Sequence, residues 1–241
     1  MSDWAVIGHD GQCHRAFALS GATLTHQGSG ADEAAALAGL GPTPQLYRIG
    51  EGLPDTLPCA LLPGPGRGLA GLTQDNPADV IDGWTRLILL GFVARHPNWD
   101  GVACVLSDTL SHWVHLSADE AVSCQSFLTP TLISSLGGTT PPDSAAIADS
   151  LSRPERLAAD LRRAQVTGIP AALSGHLLGV EIAAARPYWL GQNVALIAPD
   201  GTASGYAKAL AAQGVPITQQ DSETLLPDAL AALAQVLGFT D

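Results

Sequence analysis

Positive charge is scarce in this chain: 11 Lys and Arg stand against 23 Asp and Glu, a formal net charge of −12 over 241 residues. A protein that grips a nucleic-acid backbone nonspecifically needs a basic patch, and this balance leaves little material for one. Nucleic acid is therefore not an expected partner. Only Arg153, Arg156, Arg162 and Arg163 cluster, and acidic residues sit among them, the pattern of a solvated helix face. Long apolar runs are missing as well. Leu87–Val93 is far too short to span a bilayer, so no membrane partner is expected. Met1–Leu19 is interrupted by Asp3, His9, Asp10, His14 and Arg15, which excludes a secretory leader and predicts a cytoplasmic protein. Cys13, Cys59, Cys104 and Cys124 include no C-x-x-C pair, which excludes zinc-ribbon spacing and predicts four separate reduced thiols. The pairs His9/His14 and His112/His115 lack carboxylates or thiols at matched spacing, so no metal ligand is assigned.

What the chain does have is a globular composition, 46% hydrophobic and 14% charged, in a length that suits one large domain or two small ones. Trp4–Gly8 and Arg15–Leu19 flank the turn-prone His9–Asp10–Gly11 and read as an opening hairpin. Asp32–Leu40 reads as a short helix stopped by Gly41–Pro42, and Gln45–Ile49 and Cys59–Leu62 as strands. Pro63–Asn76 is a loop, and Pro77–Ala94 a helix with proline near its start. Gly101–Leu106, Ser111–Ser117 and Val122–Leu128 follow as a meander. Pro130–Leu136, Ser152–Gln165 (capped by Ser152) and Ser174–Ala185 read as helices, the last rich in small residues that suit close packing on a sheet. The tail alternates: strand Val194–Ala198, helix Ser204–Gln213, strand Val215–Thr218, helix Leu225–Leu237. The class is α/β.

Trp99–Leu132, WDGVACVLSDTLSHWVHLSADEAVSCQSFLTPTL, carries Trp113, Phe127, Thr129 and Leu132 at the spacing of the central segment of the 2-dehydro-3-deoxygalactonokinases. Leu173–Ala184 resembles that family's L-S-G-L-L-I-G-x-E helix through Gly175, Gly179 and Glu181. Val194–Leu210 resembles its strand, G-T/S loop and helix, and Arg15–Ala16–Phe17 its R-A-W. The resemblance implies an actin-like, ribonuclease H-like sugar-kinase fold: two similar halves around a cleft. Residues 1–95 would carry the first phosphate loop, and 96–241 the second phosphate turn and the nucleotide loop. It implies ATP and Mg²⁺ as cofactors and a small sugar acid as ligand. It leaves room for a homodimer or for pairing with an active kinase.

The departures fall on the chemistry. The family's D-W-G-[ST]-[ST]-x-x-R loop stands here as Gly8–Arg15, with Gly8 for the leading carboxylate. Its R-G-E-E-T-Q element, where related kinases keep the general base, is Asp82–Gly83–Trp84–Thr85–Arg86, without glutamate. Its P-G-T-H-x-K turn is Ser107–His112, with Asp108 for glycine. Its T-G-E-L is Thr129–Leu132, and the chain reads as shorter than usual for the family. Asp10 and Asp82 are the candidate catalytic carboxylates, and each has a bland alternative: a turn residue for Asp10, a helix-start carboxylate for Asp82. Gly11, Arg15, Asp108, Thr109, Gly201 and Thr202 are the candidate nucleotide contacts, although Asp200–Gly201–Thr202 also suits a plain strand-to-helix turn. Trp84 and Trp113 read as core rather than ligand platforms, and Glu181 as a partner for a helix terminus or an arginine. Two unit charges about 4 Å apart cost about 4 kcal/mol at an effective dielectric of 20, so Asp108 opposes phosphate binding. A missing base slows phosphoryl transfer further. Weak or absent kinase activity is the expectation.

Overall fold

The computed structural model describes residues 3–41, 45–64, 66–199 and 201–239. The chain forms two compact units: one from Met1–Asp100, Leu116–Cys124 and Ser222–Asp241, the other from Gly101–His115 and Gln125–Asp221. After residue 100 the chain returns to the first unit twice.

The first unit opens with β1 (Asp3–His9), β2 (His14–Ser20) and β3 (Thr23–Gly30). Helix α1 (Glu33–Leu37) and β4 (Leu46–Arg48) follow, and the sheet order is β3-β2-β1-β4. Strand β1 is antiparallel to β2 and parallel to β4. Its run Trp4–Ile7 is buried throughout, as a central strand covered on both faces requires. Strand β3 is a polar, glycine-bearing edge strand without apolar alternation, which is why periodicity does not reveal it. Asp32 caps α1 by accepting from the Ala35 N–H at 2.8 Å.

Next come β5 (Asp55–Thr56), β6 (Cys59–Ala60), β7 (Leu72–Asp75), β8 (Ala78–Ile81) and α2 (Gly83–Arg95). Strands β5, β7 and β8 form a small sheet, with β7 and β8 antiparallel. This corrects the expected loop over Pro63–Asn76 and the expected helix start at Pro77. The β7–β8 hairpin occupies that ground, and α2 begins only where Asp82 supplies a cap. Val80, inside the expected helix, lies on β8 and is 57% exposed.

The second unit is built on β9 (Asp100–Leu106), β10 (Ser111–Ser117) and β11 (Glu120–Phe127), whose ends also supply the first unit. They are neighbours in a sheet of order β13-β12-β9-β10-β11-β6, and their short connections require antiparallel pairing. The meander read from the sequence is therefore present. Helices α3 (Thr129–Ser135), α4 (Ser144–Ser152), α5 (Leu157–Thr167), α6 (Pro170–Ala184) and α7 (Arg186–Trp189) precede β12 (Val194–Ala198). Helix α8 (Ser204–Ala211) leads to β13 (Ile217–Asp221), and α9 (Ser222–Val236) closes the chain in the first unit. Strand β12 runs parallel to both β9 and β13.

Two helix expectations shift. Ser152 ends α4 rather than capping α5. Asp143 caps α4 through the Ala146 N–H at 2.7 Å, and a 3-10 turn at Pro154–Arg156 separates α4 from α5. Helix α5 ends at Gly168, whose φ of 65° is the left-handed conformation glycine takes without strain. Helix α6 starts four residues earlier than read, at Pro170, and its small face meets a helix. A Cβ at Gly175 or Gly179 would lie 2.5 and 2.4 Å from the carbonyls of Asp143 and Ile147, at the two ends of the α4 contact. The core of this unit gathers Val102, Cys104, Trp113, Leu178, Ile182 and Leu196. Among the described residues no helix is long and apolar enough to cross a membrane.

Candidate functional site

The hairpin between β1 and β2 holds the first group of predicted residues. Asp10 organises the turn: its Oδ1 accepts from the Gln12 and Cys13 N–H groups, both at 2.8 Å. Its Oδ2 faces Arg15 Nη1 at 3.5 Å. Burial raises the carboxyl, but the Cys13 and Gln12 amides and the Arg15 guanidinium outweigh that and hold it below the usual carboxylate range. Gly11 takes φ +99°, and nothing lies within 4 Å of a Cβ there, so its role is conformational.

Arg15 is fully engaged. Nη1 and Nη2 form a two-point pair with Glu223 at 3.0 and 2.8 Å. The guanidinium also lies over the Phe17 and Trp84 rings, 5.6 and 5.8 Å from their centroids. A polar cavity of about 450 Å³ opens beside the turn, lined by Asp10, Gln12, Arg15 and Gln27 among others.

The backbone at Gly8 is closely packed. A Cβ at Gly8 would sit 2.9 Å from Ile49 Cβ and 3.1 Å from Trp84 Cε3. Trp84 is 8% exposed and stacks on Phe17 with centroids 6.1 Å apart. The indole packs where the side chain of residue 8 would go. Trp84 is core, as read from the sequence.

Asp82 is the N-cap of α2. Its Oδ1 accepts from the Thr85 N–H at 2.8 Å and its Oδ2 from the Thr85 hydroxyl at 2.9 Å. Both oxygens serve the helix start, as the bland alternative for this residue has it.

In the second unit, the turn between β9 and β10 folds on itself. Ser107 Oγ accepts from the Leu110 N–H at 3.0 Å and the Thr109 N–H at 3.3 Å, and the Ser107 N–H reaches the Leu110 carbonyl at 2.9 Å. The Thr109 and Leu110 amides are thus turned onto a serine. Asp108 is exposed at the tip, and the Thr109 carbonyl accepts from the Thr131 hydroxyl at 2.7 Å. At the other predicted loop, the Thr202 hydroxyl donates to the Pro199 carbonyl at 2.6 Å. Gly201 lines a depression of about 220 Å³ with Ala203 and Gln219, below the 300–1,000 Å³ typical of ligand pockets. Asp200 lies outside the described residues, as does Pro42.

Sequence reasoning placed Glu181 on a helix terminus or an arginine, and the structure corrects this. Glu181 is buried on α6. Its Oε1 accepts from the Ser111 hydroxyl at 2.7 Å and the Trp113 indole N–H at 2.9 Å, and its Oε2 from the Tyr206 hydroxyl at 2.8 Å. Burial pushes its carboxyl up, against hydrogen bonds from Thr129, Trp113, Ser111 and Tyr206. It ties α6 to β10 and α8. No spacing in the sequence joins those residues, so only the fold reveals the network.

Residues 143–233 match the family model described as 2-keto-3-deoxy-galactonokinase. The crystal structure of a candidate 2-dehydro-3-deoxygalactonokinase from Sinorhizobium meliloti superposes with a TM-score of 0.77 at 22% identity, over 96% of each chain. The two chains are therefore of similar length, so against this neighbour the chain is not shortened. Component A of the Acidaminococcus fermentans (R)-2-hydroxyglutaryl-CoA dehydratase aligns at 11% identity over 98% of this chain and 97% of that one, with a TM-score of 0.46. No curated protein matches the sequence significantly. The resemblance read from the sequence is borne out, and with it the α/β sugar-kinase fold class.

Proposed function

We propose that this relative of the 2-dehydro-3-deoxygalactonokinases has weak or lost phosphoryl transfer to a sugar acid. The observation that carries the reading is the packing at Gly8, where Ile49 and Trp84 fill the space a carboxylate side chain would enter. Restoring the acid at position 8 alone would drive it into the indole.

The residues present do not fit Mg²⁺ and ATP. Asp10 is the one carboxylate of the first turn, and its oxygens serve two backbone amides and Arg15. Arg15, the cation nearest that turn, is neutralised by Glu223 as well. The Thr109 and Leu110 amides are spent on Ser107. A carboxyl held below its usual range is also a poor general base, since the proton it takes is weakly held. A chain of this kind acts by holding a sugar acid or by pairing with an active kinase.

A coupled assay with MgATP and 2-dehydro-3-deoxygalactonate tests this. Turnover is expected at about 10⁻³ s⁻¹ or lower, against a median enzyme near 10 s⁻¹. Ordinary turnover that disappears in Asp10→Asn or Asp82→Asn overturns the reading and makes those aspartates the catalytic pair. Calorimetry with the sugar acid and with MgATP, titrated separately, distinguishes a ligand-binding relative from one that binds neither.

A further inference from the structure

We propose that Asp149, Asp160 and His176 form a site for a transition-metal dication of the zinc class, held between α4, α5 and α6. One potential ligand atom from each lies within 4.8 Å of the others. Ligand atoms about 2.1 Å from a tetrahedral ion are about 3.4 Å apart, so closure needs each ligand atom to move inward by up to roughly an ångström.

The second observation is an orphan oxygen. Asp160 is 0% exposed, and its Oδ2 has no hydrogen-bond partner among the described residues. Such an atom forfeits its hydration without replacement, which native interiors avoid unless a water or an ion supplies the contact.

The surroundings sort the remaining atoms. Asp160 Oδ1 is bound by Arg163 at 2.6 Å, with Arg156 at 3.7 Å. Asp149 Oδ1 is paired with Arg153. Asp160 Oδ2 is thus left without a hydrogen-bond partner among the described residues. His176 is 7% exposed, and its Nδ1 lies 2.8 Å from Ser150 Oγ. With Nδ1–H donating to that hydroxyl, the Nε2 lone pair is left as a ligand, the usual arrangement behind a metal-bound histidine. Asp149 has 24% of its side chain exposed and provides the way in. An imidazole beside two carboxylates favours zinc or its first-row neighbours over magnesium or calcium. The arginines lower the affinity by competing for the same charge, and they act as outer partners once the ion is bound. The site is independent of the kinase reading.

Titration of the chelator-stripped full chain with ZnCl₂, followed by calorimetry and by Co²⁺ visible absorption, provides the test. One equivalent that millimolar Mg²⁺ does not displace is expected. A hundredfold excess of zinc over Kd should raise Tm by roughly 5–10 °C. Asp149→Asn and His176→Gln should each weaken binding at least tenfold, while the double variant His9→Gln/His14→Gln retains that equivalent. Should His176→Gln fail to fold, the partly exposed Asp149→Asn carries the comparison. No saturable binding, or binding unchanged in Asp149→Asn, overturns the proposal and leaves a buried water at Asp160.

Discussion

Arg86 in the first unit and Asp160 in the second are both charged and almost wholly shielded from water, 1% and 0% exposed, yet the two regions treat the buried charge in opposite ways. Arg86 meets the Leu61 carbonyl through Nε at 2.8 Å, the Ala60 carbonyl through Nη2 at 2.9 Å and the Ala70 carbonyl through Nη1 at 3.1 Å. Asp55 Oδ2, at 2.8 Å, balances the charge. Its neutral acceptors are backbone atoms of segments with little regular structure. Asp160 is bound on one oxygen only, by side chains that reach out to solvent. The first arrangement uses a charge to hold irregular chain in place. The second leaves one atom for something the protein itself does not supply.

The sharpest way to break this contrast is to remove the arginine. Arg86→Met leaves at least three carbonyls without their donor and Asp55 with Arg67 alone, and should cost about 3–5 kcal/mol in urea unfolding. Asp55→Asn should cost less, because the carbonyl contacts remain. A loss below about 1 kcal/mol for Arg86→Met would mean that 55–71 is held by its small sheet and not by the guanidinium.

How much of this was legible in the sequence follows the same physical line. The meander, the parallel β12–β13 tail and the glycine-lined α6 carry their signals locally, in alternation, turn residues and small-residue spacing. Strand β3 and the β7–β8 hairpin do not, since both are short and polar and take their place from tertiary pairing. Of the candidate site, Asp10, Gly11 and Arg15 are grouped by motif order, and they lie on one hairpin, Asp10 and Gly11 in its turn and Arg15 on β2. The meaning of Gly8 was half legible: its departure from the pattern could be seen, but its packing against Trp84 could not. The Glu181 network and the grouping of Asp149, Asp160 and His176 were out of reach, because they join residues of different helices or strands at unrelated spacings; only the arginine pairs of the two aspartates are local.

Two carboxyls, the buried Glu181 and the partly exposed Asp10, sharpen the contrast through pH, with opposite signs. Glu181 is raised by burial from its ordinary 4.5, so its contribution is fully present below that value and is lost as pH rises through the folded value. Asp10 is lowered from its ordinary 3.8, so its contribution is present above that value and is lost as pH falls through the folded one. In Tm–pH curves, wild type should lose ground to Glu181→Gln as pH climbs above 4.5. It should lose its advantage over Asp10→Asn, about 1–2 kcal/mol at neutral pH, as pH drops below 3.8. Parallel curves for all three proteins would mean that neither carboxyl differs from its unfolded state.

The smallest expected effect is at Asp160 in the metal-free protein. Asp160→Asn removes a charge that is bound on one side only. The arginine left behind, Arg163, has 55% of its side chain exposed, and Arg156 has 38%, so both can turn into water when the carboxylate goes. The lost ion pairs and the relieved burial of charge should nearly cancel, giving a change within about 1 kcal/mol of either sign. Two of Arg86's partners have no such escape, since the carbonyls of Leu61 and Ala70 belong to buried residues. With zinc present the two proteins should separate, because only the wild type gains from the ion. A metal-free loss above about 3 kcal/mol would place Asp160 in the same class as Arg86. Its second oxygen would then have a fixed partner, most simply an ordered water, and the space between the three helices would not be open to an ion.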